Sequence, residues 1–206
     1  NTYLNGSVTY LYLPMLPDMA VARDKATGWR RKMYRVLALG WRGTEREWLR
    51  LEKAISIMAL IIIPVAVSVH TIVSWDFAMT LMPMWHSTIF GPYFVVGAIF
   101  SGIAALLIAM VLIRKYFKLE RYLEPVHFDN LAKMLFAMSL LWFYFTFTEY
   151  LVTWYGNEAA EMPVFWSKIS GRFAPLFWLM VICNFLIPFP ILAITKLRTI
   201  PMMFFV

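Results

Sequence analysis

The chain has 206 residues, 61% of them hydrophobic and 15% charged, whereas a soluble domain carries roughly 45–50% apolar and about 25% charged residues. So much apolar surface cannot be hidden inside so small a protein, and a bilayer is its natural solvent. The net charge of +7 does not point to nucleic acid, because 17 of the 19 Lys and Arg residues fall in three stretches, 18–53, 114–133 and 196–198, which lie on one side of a membrane once the apolar runs are threaded through it.

Residues 1–17 read as the end of a transmembrane helix, Val8-Thr-Tyr-Leu-Tyr-Leu-Pro-Met-Leu16, stopped at Pro17-Asp18. Residues 18–53 form a cytoplasmic basic segment with ten Lys/Arg against five Asp/Glu. Within it Trp29, Met33, Val36 and Leu37 recur at helical spacing with basic residues between them. That pattern suits either an amphipathic helix lying on anionic lipid or an ordinary cytoplasmic connector that satisfies the charge rule. Thr44-Glu-Arg-Glu47 matches a capping box at the start of a helix.

Residues 54–195 hold four runs long enough to cross a bilayer, which takes about 20 apolar residues each: Ala54–Val73, Pro92–Ile113, Met134–Tyr155 and Ala174–Thr195. The predicted fold is all-α, a polytopic transmembrane helix bundle whose four full spans form one four-helix bundle. Pro64 is expected to bend the first span, and the Gly97–Ser101 spacing to let a neighbouring backbone approach the second. Asn184, in the fourth span with Pro188 and Pro190, is expected to make an interhelical hydrogen bond. Residues 196–206 read as the start of a further span. A chain that opens without Met and stops inside the run Ile200-Pro-Met-Met-Phe-Phe-Val206 is expected to be a fragment of a larger subunit, with two partial spans flanking the bundle. The charge rule places loops 74–91 and 156–173 outside, and a bacterial inner membrane is the expected location.

Cys183, the single cysteine, excludes an intrachain disulfide and a cysteine-held iron–sulfur cluster within this segment, and reads as a small buried apolar residue. A transmembrane haem needs facing axial ligands at matching depth. His70 alone lies in a span, with His86 in a loop and His127 on the opposite membrane face, so neither haem nor metal is expected to be bound here. The aromatic runs Trp142-Phe-Tyr-Phe145 and Phe204-Phe205 are expected to pack spans and anchor them at the interface.

Ionisable groups inside a span cost roughly 2.5–3.5 kcal/mol on insertion scales, so each asks for a reason. His70 near the end of the first span, Asp76 just beyond it, His86 before the second, and Glu149 about six residues below the exit of the third all belong to the outer leaflet or the mouth above it. Such a set suits proton-coupled chemistry, since a quinol that loses two electrons must also shed two protons to acceptors within hydrogen-bond reach. Ser68, Thr71, Ser74, Thr148 and Thr153 add hydroxyls. Three roles remain open: a structural His70–Glu149 pair, a proton relay, or direct quinol contact.

The runs Leu37-Ala-Leu-Gly-Trp-Arg-Gly-Thr44, Ser68-Val-His-Thr-Ile-Val-Ser-Trp-Asp-Phe-Ala78, Trp85-His-Ser-Thr-Ile-Phe-Gly-Pro-Tyr-Phe94 and Gly97-Ala-Ile-Phe-Ser-Gly102 resemble the NrfD, or polysulfide-reductase-type, membrane subunits of bacterial alternative complex III. The likeness continues through Asp129-Asn-Leu-Ala-Lys133, Trp154-Tyr155 and Phe177-Trp-Leu-Met180, covering nearly the whole chain. It implies a subunit with two four-helix bundles and no redox cofactor of its own, of which this chain is the second bundle. Quinol or menaquinol is then the substrate of the complex, with the principal quinol site in the first bundle. A proton path is implied in the second, at positions matched here by His70, Asp76 and Glu149, with Asp18 and Arg23 on the cytoplasmic side. The implied partners are an iron–sulfur subunit, multihaem cytochrome c subunits that carry the haems, a homologous NrfD-type membrane subunit, and lipids, with no nucleic acid. Two other classes compete. A secondary transporter should place its polar groups at mid-depth, whereas these are shallow. A passive anchor would only dock peripheral redox subunits.

Overall fold

Every regular element among the residues described by the computed structural model, 2–81 and 85–206, is helical. The chain divides into two units, Asn1–His70 and Thr71–Val206. Residues 82–84 of the expected outer loop 74–91 lie outside the described residues.

In the first unit, α1 (Thr2–Tyr12) passes through a 3-10 turn (Leu13–Met15) into α2 (Leu16–Lys25). Pro17 therefore opens a helix instead of stopping one. At the first helical positions its missing N–H costs nothing, because those N–H groups have no intrahelical partner, and Asp18 in the first turn complements the helix dipole. Next comes α3 (Gly28–Leu37), which packs on α2. Leu16, Ala20 and Ala38 are buried, and the Tyr12 hydroxyl donates to the Leu37 carbonyl. The chain leaves α3 through Leu39 and Gly40, both with positive φ (47° and 77°), a left-handed exit that glycine takes without steric cost.

The capping box is formed as expected. Glu47 Oε2 accepts from the Thr44 and Arg42 amides at 3.0 and 3.1 Å, while Thr44 Oγ1 accepts from the Glu47 amide at 3.3 Å. It opens α4 (Glu45–Phe77), which stays helical through Pro64, where a bend was expected. Ser68 Oγ donates to the Pro64 carbonyl at 2.8 Å.

The second unit contains the end of α4, a 3-10 turn (Met79–Leu81), α5 (Phe90–Phe117), α6 (Pro125–Gly156), α7 (Met162–Ile169), α8 (Ala174–Val181), a π-helical turn (Ile182–Leu186), α9 (Pro188–Ala193) and α10 (Ile200–Phe205). Among the described residues, four helical stretches are long and apolar enough to span a membrane: Glu45–Leu81, Phe90–Phe117, Pro125–Gly156 and Ala174–Ala193. The chain is a multi-pass membrane protein. The first three stretches outrun the apolar segments read from the sequence because polar residues build their ends. Lys118 and Asn157 close α5 and α6 in the left-handed conformation, their amides donating to the Arg114 and Thr153 carbonyls.

Ile103 and Leu107 of α5, Phe128, Ala132 and Leu135 of α6, Leu192 of α9 and Met203 of α10 form the core of this unit. Lipid tails are as apolar as these side chains, so shape and dispersion contacts select this packing more than escape from water does. Phe143 stacks on Phe185 with ring centres 3.9 Å apart, and Phe136 and Phe185 both meet Phe189. At the other end of α6, Asp129 binds Lys133 Nζ at 2.6 Å and Arg198 Nη1 at 3.0 Å. The segment after the fourth span is thereby held against the start of the third.

Three further expectations need correction. Among the described residues, a Cβ added at Gly97 would meet Trp142 Cδ1 alone, at 3.9 Å, and one added at Gly102 would meet nothing within 4 Å. The close approach falls at Gly91, where an added Cβ would lie 3.0 Å from Thr71 Cγ2. Cys183 is exposed, not buried. The Asn184 side chain donates within its own helix, to the Met180 carbonyl at 3.0 Å.

The interhelical bond runs the other way. Pro188 has no N–H to offer the Asn184 carbonyl four residues back; the Ile187 amide reaches to the Ile182 carbonyl at 2.9 Å, which widens the helix into a π-turn. Ser139 Oγ, 1% exposed on α6, donates to the freed Asn184 carbonyl at 2.9 Å. Ser139→Ala should therefore cost about 1 kcal/mol of stability, measured by thermal unfolding of the subunit in micelles. In a Pro188→Ala background, whose restored N–H can satisfy that carbonyl, the cost should fall by half or more. Equal costs in both backgrounds would refute the linkage.

Candidate functional site

A cavity of about 690 Å³ lies within the second unit, at the end of the bundle that the basic-residue asymmetry assigns to the outside. Its walls come from four helices and the segment before the first of them: Trp85 and Phe90 before and at the start of α5, Thr146, Glu149 and Thr153 on α6, Val164 and Lys168 on α7, and Leu176 and Met180 on α8. Tyr93, Tyr150, Phe165 and Phe177 line it with rings. Tyr150 lies 4.7 Å from Phe177 and 6.0 Å from Phe165, centre to centre.

The segment expected to be the outer loop 156–173 contributes a helix of its own. Pro163 sits in the first turn of α7, Phe165 turns inward and is buried, and the Phe165 amide donates to the Glu161 carbonyl at 3.0 Å. Trp178 Nε1 donates to the Ile169 carbonyl at 3.0 Å, tying α8 to the end of α7. Between them, a Cβ on Gly171 would lie 2.8 Å from Ser167 Cα and 3.0 Å from the Ser167 carbonyl oxygen. Only glycine fits that turn.

Glu149 is the one acidic group on the α6 wall, and its Oε2 accepts a hydrogen bond from Ser87 Oγ, which reaches it from the segment before α5. Tyr93 interacts with the Thr146 side chain and packs on Trp142 with ring centres 6.2 Å apart. Thr146 Oγ1 donates to the Trp142 carbonyl at 2.8 Å, and Thr153 Oγ1 to that of Glu149 at 2.9 Å. These hydroxyls keep lone pairs for water or for a ligand's O–H. Glu161 and Lys168 add one charge of each sign to the lining.

The other expected site residues are placed as follows. His70 Nδ1 lies 2.7 Å from the Ala66 carbonyl oxygen, and its ring meets Tyr3 edge-on at 5.3 Å. Asp76 is exposed in the last turn of α4, where its carbonyl accepts from Thr80 Oγ1 at 2.5 Å. His86 is exposed beside Ser87. Asp18 is exposed on α2. Arg23 pairs with Asp24 at 2.8 Å and donates to the Trp41 carbonyl at 3.0 Å, and the guanidinium holds the Asp24 carboxyl below its ordinary range. Of the expected hydroxyls, Ser68, Ser74 and Thr148 donate to carbonyls three or four residues back, and Thr153 reaches the cavity. No group of three or more metal-ligating side chains comes together among the described residues.

Of the residues that line the cavity, the sequence pointed to Glu149 and Thr153 but not to Tyr93, Tyr150, Glu161 or Lys168, nor to Ser87, which reaches Glu149. A tyrosine in an aromatic-rich span gives no signal of its own, and Ser87 matters only through a contact 62 residues away in sequence.

A family model described as polysulphide reductase, NrfD, matches residues 6–206. A comparison with curated proteins gives no match.

The turn that closes the cavity is testable. Gly171→Ala should lower stability by about 1–3 kcal/mol, because the new methyl group meets backbone and not a side chain that can move. Gly102→Ala, in open space on α5, should be neutral or stabilising by up to about 1 kcal/mol. Thermal unfolding of the two variants checks the contrast, and equal shifts would contradict the turn geometry.

Proposed function

Since the chain belongs to the polysulphide reductase NrfD family, whose members are membrane subunits of redox complexes and usually pair with iron–sulfur subunits, we propose that it serves a quinol-oxidising complex of the alternative complex III type. In this reading Glu149 and the cavity above it take up protons released by quinol and pass them outward. The observation that carries it is the Glu149 carboxylate, which takes a hydrogen bond from Ser87 and is set among aromatic and hydroxyl-bearing walls in a cavity of about 690 Å³ that Glu161 and Lys168 also line, a size and lining suited to a small aromatic headgroup or a cluster of waters.

The chemistry divides among this chain's own residues. Glu149 accepts a proton from a hydroxyl within hydrogen-bond reach. Ser87 holds the carboxylate in place through Oε2. Thr146 and Thr153 orient waters or a ligand hydroxyl, and Tyr93, Tyr150, Phe165 and Phe177 supply faces for a planar ring. Glu161 and Lys168 offer exchangeable protons on the way to solvent. His70, Asp76 and His86 extend the same outward role, and Asp18 and Arg23 a cytoplasmic one. Electrons pass to clusters and haems held by partner subunits, among them an iron–sulfur subunit, multihaem cytochromes c and a homologous membrane subunit. The setting is a bacterial inner membrane.

The cavity favours this reading over a passive anchor, which has no use for a carboxylate held in an apolar bundle. Glu149→Gln keeps an acceptor for Ser87 but cannot carry a proton near neutral pH. It should slow quinol oxidation by the assembled complex at least roughly tenfold, the low side of general-base effects, with assembly intact. Unchanged turnover and unchanged proton release in that variant would reduce Glu149 to a structural role.

A further inference from the structure

The first unit carries an apolar stripe that its own packing leaves uncovered. On α3, Tyr34 and Leu37 are partly buried and the adjoining Ala38 fully so, and the Tyr12 hydroxyl caps the Leu37 carbonyl. That is the side turned to α2. At 100° per residue, Trp29, Met33 and Val36 fall within about 60° of one another on a different arc of the helix. All three are exposed, Trp29 at 69% and Val36 at 73%, and Leu39 at the left-handed exit is 72% exposed.

Lys32 lies about 40° beyond Val36 at one edge of this stripe; on the other side Arg30 lies about 60° beyond Met33, past Leu37 and toward the α2 side, yet stays exposed, and Arg31 and Arg35 lie on the opposite arc. The helix has no acidic residue. The Arg30 guanidinium lies 5.9 Å from the Trp29 ring centre, which sets the flanking charge beside the aromatic at the edge of the stripe. Seven residues separate Leu37 from Glu45, where α4 begins, so α3 is tethered close to the point at which a membrane-spanning helix starts.

We infer that α3 is an in-plane helix that docks on an anionic phospholipid surface. Trp29, Met33, Val36 and Leu39 enter the boundary between headgroups and acyl chains, and Lys32 and Arg30 pair with lipid phosphates at its margin. Charge selects this occupant. A strip of cations around exposed apolar groups is complementary to an anionic leaflet and attracts little to a zwitterionic one. The inference concerns the first unit and stands whether or not the Glu149 cavity handles protons.

The test uses the full chain in nanodiscs, in a Cys183→Ser background, with a spin label attached through Val36→Cys or, for the opposite face, Arg31→Cys. In discs containing phosphatidylglycerol the Val36 label should relax more strongly with oxygen than with a water-soluble nickel chelate, and the Arg31 label should show the reverse. Replacing phosphatidylglycerol with phosphatidylcholine should move the Val36 label toward the aqueous signature with no change of sequence. Lys32→Glu with Arg30→Glu should do the same in anionic discs. An aqueous Val36 signature in both lipids would overturn the proposal. A lipid signature indifferent to lipid charge would overturn the anionic selectivity. A label shielded from both reagents would mean that protein covers the stripe, which also overturns it.

Discussion

Inside a bilayer no water is at hand to satisfy a polar group, so every N–H, C=O, hydroxyl and carboxylate must find its partner within the protein. The internal geometry of the second unit follows from that constraint. Pro188 removes one backbone donor, the helix answers with a π-turn, and Ser139 crosses from α6 to serve the carbonyl left behind. Serines and threonines along the spans spend their protons on carbonyls a turn earlier, as Ser68, Ser101, Thr146 and Thr148 do. Glu149 is the costly exception, since a carboxylate among apolar neighbours needs more than one donor to offset its lost hydration. Ser87 provides one; the cavity gives room for others.

The same constraint explains which features could be read along the chain. Four spans and a one-sided distribution of basic residues are collective properties of composition, visible without contacts. The Thr44–Glu47 capping box is a local pattern with local geometry, and it forms as its spacing requires. Pairwise facts were hidden. Pro17 carries the same φ whether it ends one helix or begins the next, and only the chain direction after Met15 decides between them. Gly91 and Gly97 sit on the same helix with equal claim to a close contact; Thr71 and Trp75 happen to face the former. Within α7, the run Met162–Ile169 is too short and too mixed to announce a helix, yet Pro163 and the inward Phe165 make it a wall of the cavity.

The expected site was in part a statement about depth, and depth alone does not specify neighbours. Glu149 is joined by Ser87 and by side chains from α5, α7 and α8, most of them aromatic or apolar and silent in a search for ionisable residues. A transporter reading would require polar groups at mid-depth beside a broken helix. The interrupted fourth span does offer a break, but its freed carbonyl is already bonded by Ser139, the Asn184 side chain donates within its own helix, and Phe185 packs against the rings of Phe143 and Phe189. The freed backbone of the break is satisfied within the protein, and the carboxylates, hydroxyls and lysine that line the cavity lie outward of it.

The central claim is that the Glu149 carboxylate meets a proton donor from outside the protein in the cavity it lines. Redox-triggered infrared difference spectroscopy of the assembled complex reads that carboxylate directly. Quinol oxidation should produce a carboxylic C=O band that moves on deuterium exchange and vanishes in Glu149→Gln. The same band surviving that substitution, or no carboxyl band in the native complex, would contradict the claim.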